Sequence, residues 1–408
     1  MKRVLLSVAL LAGAFSFSFA QSKNVKDAKK LANQSNPDFA QAEQLINAAM
    51  VNDETKADPD TWDVAGFIKQ RYVEEEQKKQ YLKKAYDTVG VYNSIIKMCE
   101  FYNKCDELAQ IPNSKGKIKN KYRKNNAKTI QMNRLELFNA GVYYFNSDKN
   151  QEAYNAFKTY LESATYPMFE GEDLISSDEY YGTIAYYATL AGLRLEDYEA
   201  IEKVAPLAVN DTTQEAMQAL EILAMSYQKQ EKTDEFLATL KQGVEKFPKD
   251  LYFFGNLVEH FIKKDDLDGA LALADEMIAE QPDNSYYAFI KGFIYHHKED
   301  LDNAAVYFKK AIELDPNNAE ANSNYALMQT VKAQKILDAI PVELTASDEE
   351  YQKAVAAAKD LYNEALPYYL KAREVSPDKT NLWANGLYLI YYKLGMDAEL
   401  QEVESFIQ

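Results

Sequence analysis

Apolar and small residues recur along this chain at a long, fixed interval. Gly292-x2-Tyr295 is followed by Ala304-x3-Phe308-x2-Ala311, and Pro316 closes the series. Pro282 and Pro248 stand 34 and 68 residues upstream of Pro316. Ahead of Pro282, the residues Phe254, Leu257, Phe261, Ala270, Ala274 and Met277 hold the same offsets. Ahead of Pro248 they are Leu220, Leu223, Ala224, Tyr227, Phe236, Leu240 and Gly243. Apolar positions three and four apart predict two amphipathic helices per period, with the proline ending the second. Small residues at Gly292 and Ala304 predict close approach of the paired helices, and Tyr295 and Phe308 fill the space between neighbours. One such hairpin cannot bury its apolar faces alone, so several must stack. In this register Ala304→Leu should damage folding, whereas Ala319, in the turn after Pro316, should tolerate bulk.

The pattern extends in both directions. Leu137, Gly141, Tyr144, Ala153 and Phe157 repeat it upstream, and Ile184, Ala188, Ala200 and Val204 give a weaker copy. Downstream, Ala365, Tyr369, Ala372 and Pro377 form a second helix after an insertion at 329–349, and Leu382, Gly386, Leu389 and Ala398 supply a last hairpin. Near the start, Trp62-x2-Ala65-Gly66 opens another repeat, preceded by a hairpin carrying Ala42, Ile46 and Ala49. Departures are Ala288 and Lys291 at large apolar positions, and Phe236 at a small one.

With these residues the chain resembles the tetratricopeptide repeat family, whose period is 34 residues. The resemblance implies an all-α fold, an α-solenoid of about eight or nine helical hairpins. The expected organisation is a leader at 1–20, degenerate hairpins with a basic loop at 21–133, a regular array at 134–318, and C-terminal hairpins with the insertion at 319–408. In that family the first helix of each repeat lines a concave, partner-binding surface. The matching positions are Phe138, Val142 and Phe145; Gln218, Glu221, Met225 and Gln228; Tyr252, Gly255 and Glu259; and Tyr286, Phe289, Phe293 and His296. The set departs from the Lys/Asn/Arg carboxylate clamp of some members. An aromatic surface of this kind suits an amphipathic helix or an extended peptide with bulky side chains, and equally suits a core.

The first residues change the cellular picture. Met1-Lys2-Arg3, the apolar run Val4 to Phe19 and the small residue Ala20 form a secretory leader pattern, with cleavage expected before Gln21. The first cysteine is Cys99, so no lipid-anchor cysteine follows the cut, and no later stretch is apolar enough to span a bilayer. The expectation is an exported protein, periplasmic or secreted. Together with the Tyr-rich helices, the leader resembles exported tetratricopeptide proteins of Bacteroides-like bacteria.

Composition narrows the chemistry. Against 63 acidic side chains stand 46 basic ones, a formal charge of −17, which argues against nucleic acid as partner. Three histidines and two cysteines leave little material for metal sites, and no cofactor is expected. No Gly-rich phosphate loop, zinc-protease or serine-hydrolase motif occurs, so a non-enzymatic role is expected. Adjacent His296 and His297 point about 100° apart on a helix. Acidic pairs such as Asp265-Asp266 and Glu349-Glu350 read as solvating charge, and Asp211-Thr212-Thr213 matches a short O-glycosylation acceptor pattern.

Cys99 and Cys105 are six residues apart, about 9 Å along a continuous helix, beyond disulfide reach. A bond between them requires the helix to break at Asn103-Lys104. Lys115, Lys117, Lys119, Lys121, Arg123, Lys124 and Lys128 form a basic stretch without an acid, either a docking site for an acidic partner or a solvated connection. The functional expectation is an exported scaffold, adaptor or chaperone-like protein that binds envelope protein or peptide partners through a concave helical surface. The alternative is a soluble carbohydrate- or nutrient-binding component of an uptake system, with Tyr and Trp stacking on sugars.

Overall fold

The computed structural model describes residues 22–112, 114–118, 120–210, 212–248 and 250–407. The expected leader at 1–20 and its cleavage site therefore lie outside the described residues, as do Lys119 and Asp211. Every regular element among the described residues is helical: eighteen α-helices, with single 3-10 turns at Pro167–Phe169 and Thr380–Leu382. Consecutive helices pair into nine hairpins among these residues, in two compact units divided at 247/248.

The first unit contains α1 (22–32), α2 (Phe39–Val51), α3 (Pro59–Tyr81), α4 (Thr88–Ala109), α5 (Arg123–Asn146), α6 (Asn150–Ser163), α7 (Tyr181–Arg194), α8 (Tyr198–Ala208), α9 (Gln214–Lys229) and α10 (Thr233–Lys246). The second contains α11 (Leu251–Lys263), α12 (Leu267–Glu280), α13 (Ser285–His297), α14 (Leu301–Leu314), α15 (Ala319–Asp338), α16 (Glu349–Val375), α17 (Ala384–Leu394) and α18 (Asp397–Glu404). The residues read as an insertion at 329–349 lengthen α15 and supply the connection to α16, a 27-residue helix.

A single turn device joins the helices of each regular hairpin. Asp148, Glu196, Glu231, Asp265 and Glu299 all adopt left-handed φ values between 54° and 59°. The N–H of the next residue then reaches back to close the first helix, as in Asp266 N to Phe261 O at 2.9 Å and Asp300 N to Tyr295 O at 3.0 Å. Asp197, Asp266 and Asp300 at once cap the second helix, accepting from the N–H groups of Ala200, Gly269 and Asn303. The last hairpin uses Gly395 at the left-handed position instead.

Close helix approach rests on glycine beneath a ring, as the sequence predicts. A Cβ on Gly292 would lie 2.8 Å from the Phe308 ring, and one on Gly141 would lie 2.2 Å from Phe157. Gly66 and Gly386 repeat the arrangement against Tyr102 and Tyr369. Ala304 is fully buried. Ala319 corrects the expectation of a tolerant turn: it is the first residue of α15 and only 3% exposed. Pro316 ends one helix so close to the next that its turn is itself packed.

Lys291, at a position that is normally large and apolar, is 5% exposed. Its ammonium meets Asp275 and lies 4.3 Å from the centroid of the Tyr307 ring, so its stem fills the core and its charge is answered. Between hairpins, ion pairs recur at a thirty-residue separation: Glu202–Lys232 at 2.7 Å, Asp268–Lys298 at 2.7 Å and Asp302–Lys332 at 2.6 Å.

Candidate functional site

The aromatic positions expected to face a partner fall into two separate groups. In the first unit, Phe138, Val142 and Phe145 lie on α5, half-buried against the core. Phe138 stacks with Tyr180 at 6.4 Å. Phe145 is covered by Arg194, whose guanidinium sits 3.7 Å from the ring centroid and donates to the Phe145 carbonyl at 3.3 Å. This group is engaged within its own unit.

In the second unit, Tyr252 on α11 and Tyr286, Phe289, Phe293 and His296 on α13 are all half-buried. Asn284 sets the start of α13 by accepting from the Tyr286 N–H at 3.1 Å, which fixes the register of the aromatic row. Tyr286 reaches across to α11, with its hydroxyl 3.1 Å from where a Cβ on Gly255 would stand. Phe289 packs on Phe308 at 5.6 Å, and Phe293 meets the His297 ring edge-on at 4.6 Å. Burial, and then the neighbouring His297, hold the His296 imidazole below its ordinary pKa, so it is neutral at pH 7. One side of this row is core and the other is open.

The basic stretch divides structurally. Lys115 and Lys117 engage other groups of the protein, and Lys119 is outside the described residues. Lys121 lies over the Tyr122 ring at 4.7 Å, while Lys124 and Lys128 are exposed on the first turns of α5. Arg123 departs from the reading of a free cationic loop. Its Nε and Nη2 each donate to the buried carboxylate of Asp106 at 2.8 Å, and Asn120 Nδ2 adds a third donor at 2.6 Å. The arginine thus neutralises an internal charge and ties the 110–122 connection to α4.

Helix α4 runs unbroken through Asn103 and Lys104, so the condition for a Cys99–Cys105 bond is not met. Both thiols are free and buried. Burial raises the Cys99 thiol to about 12 and pushes Cys105 up as well, so neither is a thiolate near neutral pH.

Among the described residues, no group of three or more His, Cys, Asp or Glu side chains is placed to hold a metal ion. No described helix is long and apolar enough to cross a membrane. Trp383 is 1% exposed, and the half-buried Trp62 donates to the Lys56 carbonyl at 2.8 Å with its ring tilted against Phe101 at 5.9 Å. Sequence reasoning missed a polar cleft of about 460 Å³ between α1, α3, α4 and α5. Its residues are spread over about a hundred positions, and none belongs to a local motif.

Residues 289–318 match the family model of the tetratricopeptide repeat. No curated protein matches the chain. Among solved structures, the C-terminal part of a TPR repeat-containing protein from Cytophaga hutchinsonii is 15% identical, with a TM-score of 0.41 over 66% of this chain and 93% of that one. A TPR repeats protein from Bacteroides fragilis is 14% identical, with a TM-score of 0.34 over 67% of this chain and 99% of that one. MamA from Desulfovibrio magneticus is 12% identical, with a TM-score of 0.31 over 49% of this chain and 97% of that one. The helical hairpins recur at 34 residues, and the stretch 289–318 among them matches the tetratricopeptide repeat.

Proposed function

We propose that this protein is a non-enzymatic scaffold that binds an exported or envelope protein through the first-helix face of α11 and α13. The observation that carries the reading is the row Tyr252, Tyr286, Phe289 and Phe293, held in register by an Asn cap and open on one side. Half-buried aromatics are pre-ordered by the core beneath them, so a partner meets large apolar surface at low cost in side-chain entropy. Residues 248–408 carry 15 basic against 28 acidic side chains, so a helix or extended segment with apolar anchors and basic flanks is the complementary partner. The leader pattern at 1–20 is the ground for placing the encounter outside the cytoplasm.

The test is a photo-reactive residue placed at Tyr286 or Phe293 in cells making the full chain. Cross-links to one envelope protein from these positions, and none from exposed Val306 on α14, support the reading. Equal labelling from all three positions would remove it.

A further inference from the structure

We propose that the polar cleft of the first unit is a separate binding site for a hydroxylated ring ligand, of the size of one or two pyranose sugars. The cleft of about 460 Å³ lies within the roughly 300–1,000 Å³ common for small-ligand sites. It is built from the first helices of three consecutive hairpins, α1, α3 and α5, with Tyr102 of α4 behind them. It shares no residue with the aromatic row of the second unit, so it stands independently of the scaffold reading.

Two groups on its wall keep spare acceptor capacity. Asp63 keeps 17% of its side chain exposed, and its contacts are long: Lys29 Nζ at 3.7 Å and Asn126 Nδ2 at 3.4 Å. Both exceed the 2.7–3.2 Å of a good N–H···O bond, and burial holds the carboxyl above its ordinary pKa. Asn126 is only 4% exposed, and its Oδ1 accepts no hydrogen bond among the described residues. Neither oxygen is among the buried atoms that lack a partner, so each keeps spare capacity to accept from hydroxyl donors that enter the cleft.

The rest of the lining fits vicinal hydroxyls. Gln70 is pre-positioned, its Oε1 accepting from Tyr102 at 2.7 Å and its Nε2 donating to Glu74 at 2.8 Å. Lys128 makes no ion pair among the described residues and supplies a donor at the rim. Phe67 gives a ring face beside Asp63, with the half-exposed Lys29 ammonium 5.3 Å from its centroid. Planar acceptors and donors around one aromatic face match a ring with polar edges and an apolar C–H face. A peptide would instead need deep apolar pockets for its anchors, and this wall offers little apolar surface.

The experiment is saturation-transfer difference NMR on the full mature chain with N-acetylglucosamine, mannose, galactose and cellobiose, each at about 10 mM, a weak-binding regime. At least one sugar should give a transfer signal that Asp63→Ala and Phe67→Ala each weaken at least tenfold in affinity. Lys128→Gln, on the exposed rim and safe for folding, should weaken it about threefold, and Tyr286→Ala should leave it unchanged. A deoxy analogue lacking the hydroxyl bound at Asp63 should lose binding, because the site's polar groups would be left unpaired. No signal from any sugar, or a signal indifferent to all three cleft variants, would overturn the proposal. So would a short unglycosylated peptide that binds with the same Asp63 dependence where the sugars do not.

Discussion

The two units pack similar hairpins with different side chains where their connections differ in length. In residues 248–318 the turns between helices are short and alike, and the joints are glycine beneath a ring, small buried alanines and exposed ion pairs at the rim. In residues 82–180 the connections lengthen, and buried charges hold them. Asp106 receives Arg123 and Asn120, while Arg134 donates to Ser163 and Asp178 and lies 4.4 Å from the centroid of the Tyr160 ring. Tyr160 also donates to Asp178 at 2.7 Å. The regular repeat packs chiefly by apolar complementarity, with the buried Lys291 answered by Asp275, whereas the longer connections are tied to their helices by several buried charged side chains.

The largest effect should come from breaking one of those buried pairs. Arg123→Ala leaves the Asp106 carboxylate buried with too few donors and should destabilise the first unit by about 3 kcal/mol. The double variant Arg123→Gln/Asp106→Asn should recover most of the loss. Each unit carries its own reporter, because Trp62 and both thiols are in the first and Trp383 is in the second. Native thiols should not react with a disulfide reagent at pH 8, and should react once urea opens the first unit. Arg123→Ala should shift that midpoint and leave Trp383 fluorescence transitions in place. Reaction of Cys99 and Cys105 in the native state would contradict the burial described here.

Adding a methyl group under a ring comes next, and compares the units directly. Gly141→Ala places its Cβ closer to Phe157 than Gly292→Ala does to Phe308, so the first-unit variant should lose more stability, each within roughly 1–3 kcal/mol. Ala304→Leu should fall in the same range. Equal urea midpoints for the two glycine variants would mean that the rings move aside freely. Relieving a left-handed acidic residue acts the other way: Glu299→Gly should stabilise the second unit by about 0.5–1 kcal/mol, read as a higher Tm. Smallest of all, Asp302→Ala removes a partner that is 91% exposed and should cost less than about 1 kcal/mol, a loss that fades in high salt.

The regular stretch was the most legible part of the molecule. Gly292, Phe308 and Ala304 act as their spacing implies, since period and residue size alone dictate that packing. The role of Ala319 was not legible, because a proline turn reads the same whether or not the next helix begins against the core. Arg123 hid within a run of lysines, and only the chain's return past α4 shows that it faces Asp106. The left-handed turns escaped notice for a similar reason: Asp265 and Glu299 are acids where a glycine would have signalled the conformation. The aromatic row was placed by its offsets, but its half-burial, and the covering of Phe145 by Arg194, depend on neighbours far along the sequence. The polar cleft gave no local signal at all.

The central claim is that partner binding lies in the aromatic row of the second unit and not in the basic stretch of the first. Its most direct test measures affinity for a captured protein partner with Tyr286→Ala/Phe289→Ala and, in parallel, with Lys115, Lys117, Lys119, Lys121, Lys124 and Lys128 all changed to Gln. Both should be measured at low and high salt, after circular dichroism has confirmed folding. The account predicts that the aromatic pair costs about 2 kcal/mol or more at both salts, and that the lysine variant changes mainly the association rate at low salt. Lost binding in the lysine variant, with normal binding in the aromatic one, would contradict it.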